Sequence, residues 1–392
     1  MIGALFATVG LSESVLNEEL RPSPHIAAYY QTWSAEAGPL LDETLVNLPI
    51  GLTEILLAFV RPDLAYAGDL DLSNTGLEVP YSGSVLKASL AALKMRNPGV
   101  KILISVGGET YTNWHKFDRE ALKRLVRDFE LDGVDLDFEP PSPNCQNRSG
   151  RVSCESDSTL FEIVTSARSA LPRPYALWLT ATNTGAYGEG AWRAQTPTGS
   201  PSYGAFVPLL RDRNYSAMLD VINIMAYDAG PTFRPLEAYA AYRSYFPGSI
   251  LIGLTSPPEA WGGHEYSITE AVGTIKAAME RGAEGAVVFA IGKPPPSHPS
   301  PATPAVEDMI TAVIQTVRGR HTRPRRLRSH HAGPILRRFE CRRRTVVHGS
   351  HYRTDGHGCR VVEGGLQTRG EEAKAHELHA KAQAGKGPTR CL

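Results

Sequence analysis

Along the first 317 residues, short β-rich apolar runs alternate with amphipathic segments. The runs fall near residues 25–31, 54–60, 100–106, 133–138, 175–182, 219–226, 249–255 and 285–291. Between them apolar residues recur at helical spacing. Leu86, Leu90 and Leu93 make one stripe; Phe117, Ala121, Leu122, Leu125, Val126 and Phe129 make another. The last stripe, Val306, Met309, Ile310, Val313, Ile314 and Val317, opens after Thr303-Pro304, a good helix start. Eight strands alternating with helices over about 290 residues predict an α/β chain with the (β/α)8 TIM-barrel architecture. A doubly wound open sheet is the rival. That fold usually carries a Gly-rich phosphate loop after its first strand, and Tyr29-Tyr30-Gln31-Thr32-Trp33 is no such loop.

The fourth run has a polar side unlike the others. In Asp132-Gly133-Val134-Asp135-Leu136-Asp137-Phe138-Glu139, the apolar residues Val134, Leu136 and Phe138 share one face of a strand. Asp135, Asp137 and Glu139 share the other, and Pro140-Pro141 ends the strand because proline cannot donate to a ladder. A parallel sheet is usually covered on both faces. Three carboxylates on one covered face repel, so at least one holds a proton near neutral pH. That expense points to catalysis. A solvated edge strand would give the same alternation, and at this point both readings stand.

Charge divides the chain. Residues 318–392 hold 18 Lys+Arg against 6 Asp+Glu, and residues 1–317 hold 23 against 35, so the formal net charge of +0 is a cancellation. The basic stretch has dense clusters (Arg323-Pro324-Arg325-Arg326, Arg342-Arg343-Arg344), eight of the 12 His and no apolar period. It reads as a disordered tail. Its charge alone would let it meet nucleic acid or an anionic surface, but an unfolded solvated tail is the simpler reading. Residues 1–23 form an N-terminal segment, apolar at first but without the basic residues that open a secretion signal. The expectation is a secreted or extracellular protein with a weak leader, with the cytoplasm left open. No apolar run is long enough to span a bilayer. Among five cysteines there is no CxxC pair, which argues against a zinc ribbon, and nothing calls for a metal or a cofactor. Cys145 and Cys154 lie close enough for a loop disulfide, and two free thiols are an equal reading. Asn147-Arg148-Ser149 and Asn214-Tyr215-Ser216 fit the glycosylation pattern, which chance often supplies.

In a barrel the working residues sit at the C-terminal strand ends. Those ends are Tyr29, Phe59, Ser105-Val106-Gly107-Gly108, Asp135 to Glu139, Thr182-Asn183, Met225-Ala226-Tyr227-Asp228 and Phe289. Carboxylates ringed by aromatic faces suit carbohydrate, because rings stack on sugars and a carboxylic acid can protonate a glycosidic oxygen.

The chain here resembles glycoside hydrolase family 18, the chitinase family. Asp132 to Glu139 fits that family's signature at every defined position, Ser105-Val106-Gly107-Gly108 its third-strand motif and Met225-Ala226-Tyr227-Asp228 its sixth-strand motif. The resemblance covers roughly residues 24–317, the expected catalytic domain. The stretches Tyr227 to Pro231 and Pro257 to Gly263 look closest to compact bacterial-type chitinases.

The resemblance implies a retaining, substrate-assisted hydrolysis of β-1,4-linked N-acetylglucosamine polymers, so chitin or its oligosaccharides would be the partner of a monomer. Glu139 would be general acid, then base. The substrate's acetamido oxygen would attack the anomeric carbon, Asp137 would orient that group, Asp135 would share a proton with Asp137, and Tyr227 would donate to the acetamido oxygen. Tyr29, Phe59, Asn183, Met225, Asp228 and Phe289 would bind substrate or form the wall. Ser105, Gly107 and Gly108 would support the fourth strand. One departure stands out: Phe289 occupies the place where the family usually has a tryptophan floor, which leaves less stacking area. Trp261 is a candidate platform elsewhere. An endo-β-N-acetylglucosaminidase of glycan cores and a catalytically silent sugar-binding barrel are the alternatives.

Overall fold

The computed structural model describes residues 23–319, apart from 37, 39, 199 and 258–264. Eight parallel strands close into a barrel: β1 (His25–Gln31), β2 (Glu54–Val60), β3 (Lys101–Gly107), β4 (Gly133–Asp137), β7 (Ala176–Thr182), β8 (Val221–Met225), β9 (Ser249–Thr255) and β10 (Gly285–Ile291). Their order around the barrel is β1-β10-β9-β8-β7-β4-β3-β2, so nearly every strand lies beside its neighbour in sequence. Each strand lies within two residues of the run that announced it. The expected tail from 318 onward falls outside the described residues except for Arg318 and Gly319, as do residues 1–22 and Trp261. No helix among the described residues is long and apolar enough to cross a membrane.

Two apolar layers follow from the two-residue period of the strands. The inner layer fills the barrel with Ala27, Tyr29, Leu56, Leu103, Trp178, Val221, Leu251 and Val287. The outer layer packs Val134, Leu136 and Phe138 of the fourth strand and its continuation against the surrounding helices. Helix Arg119–Asp128 shows how the sequence sets a helix in place. The Asp118 carboxylate accepts from the backbone N–H of Glu120 and Ala121, which caps the N-terminus. Ala121, Leu122, Leu125 and Val126 then form the buried stripe. The closing helix, Val306–Arg318, buries Val306, Met309, Ile310, Val313 and Val317 in the same way.

One element was not foreseen. A small antiparallel hairpin, β5 (Gln146–Arg148) with β6 (Arg151–Ser153), is inserted between β4 and the next helix. Its strands are three residues long and mostly exposed, so no apolar alternation marks them. Ser149 and Gly150 both have positive φ, 53° and 84°, which suits a two-residue hairpin turn. Cys145 and Cys154 are bonded to each other across its base.

Candidate active site

The site is built outward from β4, where alternate side chains point into the barrel. Asp132, the first acid of the motif, stays at the foot of the strand, where its Oδ2 accepts from the Ile102 N–H at 2.8 Å. Asp135 is fully buried and wrapped in hydroxyls. Ser105 Oγ donates to its Oδ2 at 2.6 Å, Tyr29 Oη to the same oxygen at 2.9 Å, and Thr180 Oγ1 to Oδ1 at 2.8 Å. Tyr29 and Thr180 also contact each other at 2.6 Å, and Asn223 Nδ2 donates to Thr180 at 3.2 Å. Burial holds the Asp135 carboxyl above its usual value, and the Ser105, Thr180 and Tyr29 hydroxyls offset only part of that rise. Burial, followed by the neighbouring aspartates, holds the Tyr29 phenol well above its usual value, so it stays a donor.

Asp137 has no comparable shell. It is buried, and its Oδ1 has no hydrogen-bond partner. Burial, then the charges of Glu139 and Asp135, hold its carboxyl well above the ordinary range. Of the two aspartates, Asp135 is better equipped to carry the negative charge, because charge-assisted hydroxyl bonds stabilise the ionised form. Glu139 sits higher, half-buried at the mouth. Burial, Glu109 and Asp228 together push it up to about 7. The result is a proton donor poised near neutral pH above a buried acid pair, the separation of roles that general acid catalysis needs.

The neighbouring strand ends hold this arrangement. Gly107 lies opposite Asp137 in the β3–β4 register, and the Gly108 N–H donates to Asp137 O at 3.0 Å. A Cβ on Gly107 would lie 2.2 Å from the Trp114 ring and 2.4 Å from Asp137 O, at a φ of +104°. Gly108 likewise leaves room for the Phe59 ring, which a Cβ would meet at 3.1 Å. At the end of β8, Met225 and Tyr227 are buried, and Asp228 follows with a positive φ of 54°. Asn183 Nδ2 donates to Tyr227 O at 2.7 Å, so this side chain braces the β8 end. Tyr29 lies beneath the acids, only 1% exposed. The aromatic wall above it consists of Phe59, 6.0 Å from Tyr29, and Phe289, 5.5 Å from Tyr29 and stacked at 6.4 Å on Tyr227.

Reading strand ends alone missed several of these partners. Thr180 and Asn223 are inward positions one pair below the strand ends, and the strand period could have flagged them. Trp33, 45% exposed, stacks on Phe59 at 6.0 Å and 19°. Lys293 Nζ lies 5.2 Å above the Phe289 ring and donates to Thr255 Oγ1 at 3.1 Å and Ser256 O at 3.0 Å. Glu109 follows the two glycines directly and acts on Glu139, yet carried no motif signal.

Comparisons with known proteins agree with this architecture. The family model for glycosyl hydrolases family 18 matches residues 25–272. Chitinase A1 of Niallia circulans is 26% identical over 227 residues, 53% of this chain and 28% of the relative. Chitinase ChiA of Flavobacterium johnsoniae is 25% identical over 224 residues, 53% of this chain and 14% of the relative. The chain thus spans well under a third of either curated relative. A GH18 chitinase from Pseudoalteromonas aurantia superposes with a TM-score of 0.53 at 19% identity, over 74% of this chain and 99% of that one. A fungal endo-beta-N-acetylglucosaminidase of glycosyl hydrolase family 18 gives 0.51 at 17% identity, over 76% and 99%. At those identities the superpositions speak to the barrel alone. The family match covers more than half of the chain and includes every strand that carries an acid of the site, and on that ground the chain belongs to glycosyl hydrolases family 18.

Proposed function

We propose that this chain is a glycosidase that hydrolyses β-1,4-linked N-acetylglucosamine polymers, chitin and its oligomers, with retention at the anomeric carbon. The contrast between the two aspartates carries this reading. Three hydroxyls occupy Asp135, whereas Asp137 Oδ1 is buried without a partner. A buried acceptor without a donor is unusual, and the N–H of a sugar's 2-acetamido group is a donor of the right chemistry.

In this scheme Glu139 gives its proton to the glycosidic oxygen as the bond to the anomeric carbon breaks. The acetamido oxygen attacks that carbon from the other side, forming an oxazolinium-like ring. Asp137 accepts the acetamido N–H, and its own proton passes to the Asp135 side, so negative charge faces the cation as it forms. Tyr227 donates to the acetamido oxygen. Water then attacks the anomeric carbon as its bond to the acetamido oxygen breaks, reopening the ring to the acetamido group, and gives its proton to Glu139, which restores the acid. No separate carboxylate nucleophile is required, and this family is a known exception to the two-carboxylate scheme. Phe289, smaller than the tryptophan expected from the resemblance, offers the sugar a reduced floor. The Cys145–Cys154 bond supports an oxidising, extracellular setting for this activity.

The test is to incubate the protein with chitin oligomers and, separately, with a high-mannose glycopeptide, following the first-formed anomer by NMR. The reading expects β-anomer first and no cleavage where the sugar at the cleaved bond lacks its acetyl group. α-Anomer first would overturn retention. Cleavage of the glycopeptide alone would move the substrate to glycan cores, and binding without cleavage would make this a sugar-binding protein.

A further inference from the structure

Four oxygen–oxygen contacts join Asp135 to its hydroxyls. Ser105 Oγ meets Oδ2 at 2.6 Å, Tyr29 Oη meets the same oxygen at 2.9 Å, Thr180 Oγ1 meets Oδ1 at 2.8 Å, and Tyr29 Oη meets Thr180 Oγ1 at 2.6 Å. All four side chains are buried. Three hydroxyls bring three protons, one fewer than the contacts they serve.

Thr180 decides how those protons are arranged. A threonine oxygen has one proton to give and two lone pairs to receive with. The Asn223 amide takes one lone pair by donating through Nδ2 at 3.2 Å. One proton and one lone pair are left for Asp135 and Tyr29, and only two arrangements use both. While Asp135 is ionised, Thr180 donates to Oδ1, and the Tyr29 proton serves both Oδ2 and Thr180. When Oδ1 carries a proton, Thr180 accepts it and donates to Tyr29, and Tyr29 donates to Oδ2. That second arrangement is a closed ring in which every contact has its own proton, and such rings strengthen each bond by polarising the next. An arriving proton lands on Oδ1, because Ser105 and Tyr29 already occupy Oδ2.

We propose that Thr180 is a positioning residue whose hydroxyl turns from Asp135 to Tyr29 as a proton arrives on Asp135 Oδ1, so that the closed ring holds that proton during turnover. The proposal rests on the reading in which Asp137 passes its proton to the Asp135 side. The step balances: an O–H bond of Asp137 breaks, one forms on Asp135 Oδ1, and the negative charge moves from Asp135 to Asp137. Thr180 and Tyr29 keep their own protons and change only the partner they face. Thr180 is fully buried beneath the acids, so it acts through Asp135 rather than on the sugar.

Neutron diffraction from the deuterated full-length protein reads the turn directly and without sugar. Wild type is compared with Asp135→Asn, whose amide imitates the protonated carboxyl: its oxygen faces the donors Ser105 and Tyr29, and its N–H faces Thr180. In wild type the Thr180 deuteron should point at Asp135 Oδ1 where that oxygen is bare, and at Tyr29 Oη where it carries a deuteron. In Asp135→Asn it should point at Tyr29 Oη. A Thr180 deuteron aimed at position 135 in Asp135→Asn, or at Tyr29 beside a bare Oδ1, overturns the proposal. On a chitin oligomer, Thr180→Val should lower kcat about tenfold to a hundredfold, the usual worth of a hydrogen bond to a charged group, with KM little changed. Thr180→Ser keeps the hydroxyl and should restore most of the rate. A folded Thr180→Val with unchanged kcat overturns the proposal, and so does a Thr180→Ser as slow as Thr180→Val. If the deuteron turns in a chain that cleaves no sugar, the hydroxyl switch stands and the proposed function falls.

Discussion

Replacing Glu139 with glutamine removes a proton donor and a poorly solvated charge in one step, and the two effects have opposite signs. Its folded pKa, raised from 4.5 to about 7, makes ionisation unfavourable in the native state by about 3 kcal/mol, at 1.36 kcal/mol per unit. A raised folded pKa contributes stability that is fully present below the unfolded value and is lost as pH rises through the folded one. The wild type therefore loses about 3 kcal/mol through this group between pH 4 and pH 8, while Glu139→Gln has no such proton to lose. The variant should gain on the wild type over that interval by about 3 kcal/mol, or roughly 6 °C in Tm for a domain of this size. The charge of Glu139 also raises Asp137, and its removal adds to the gain in the same direction. Turnover should meanwhile fall by about two to four orders of magnitude, the usual worth of a general acid. Thermal unfolding of both proteins at pH 4, 6 and 8, beside a chitin-oligomer assay, reads both effects. A stability difference that stays flat with pH would refute the electrostatic argument, and near-native turnover would refute the role of Glu139.

Three further outcomes follow from the geometry. Tyr227→Phe should lower kcat by about a hundredfold to a thousandfold with little change in Tm, because the lost donor belongs to the transition state; a lower Tm with unchanged kcat would make Tyr227 a core residue only. Thr180→Val removes the donor to Asp135 Oδ1 at 2.8 Å and should destabilise by about 1–3 kcal/mol at neutral pH, as denaturant unfolding will show. That loss should shrink at acid pH, where the Asp135 carboxyl is protonated. Gly107→Ala places a Cβ 2.2 Å from the Trp114 ring and 2.4 Å from Asp137 O, and should cost at least about 3 kcal/mol in unfolding free energy or prevent soluble expression.

Local pattern was enough for the architecture. A period of two in short apolar runs and of 3.6 between them follows from backbone geometry alone, so strands and helices could be placed without any knowledge of what they touch. The same geometry put Asp135, Asp137 and Glu139 on one face, because three alternate residues of a strand cannot do otherwise. The helix stripes from Ala121 to Val126 and from Val306 to Val317 were legible for the same reason.

What each acid meets across the barrel was not legible. Tyr29 lies 106 residues from Asp135 and 151 from Thr180, and closure of the barrel brings all three within hydrogen-bond distance. Periodicity says which face a side chain takes, but the stagger between closed strands decides which side chains share a level on that face. Phe59 illustrates the limit: the β2–β3 register shifts between Leu57 and Val60, so simple alternation does not place its ring. Asn183, a candidate for substrate in the sequence, also braces Tyr227 O, a contact between strand ends that the sequence did not show. The β5–β6 hairpin buries a single apolar side chain of its strands, Val152, too little to leave a periodic signal, and a turn and the Cys145–Cys154 bond close it. The sequence by itself therefore determined the barrel and the row of acids. Only the tertiary structure decided that Asp135 is surrounded by hydroxyls and that Asp137 keeps an acceptor open, because those differences arise from contacts between strands far apart in the chain.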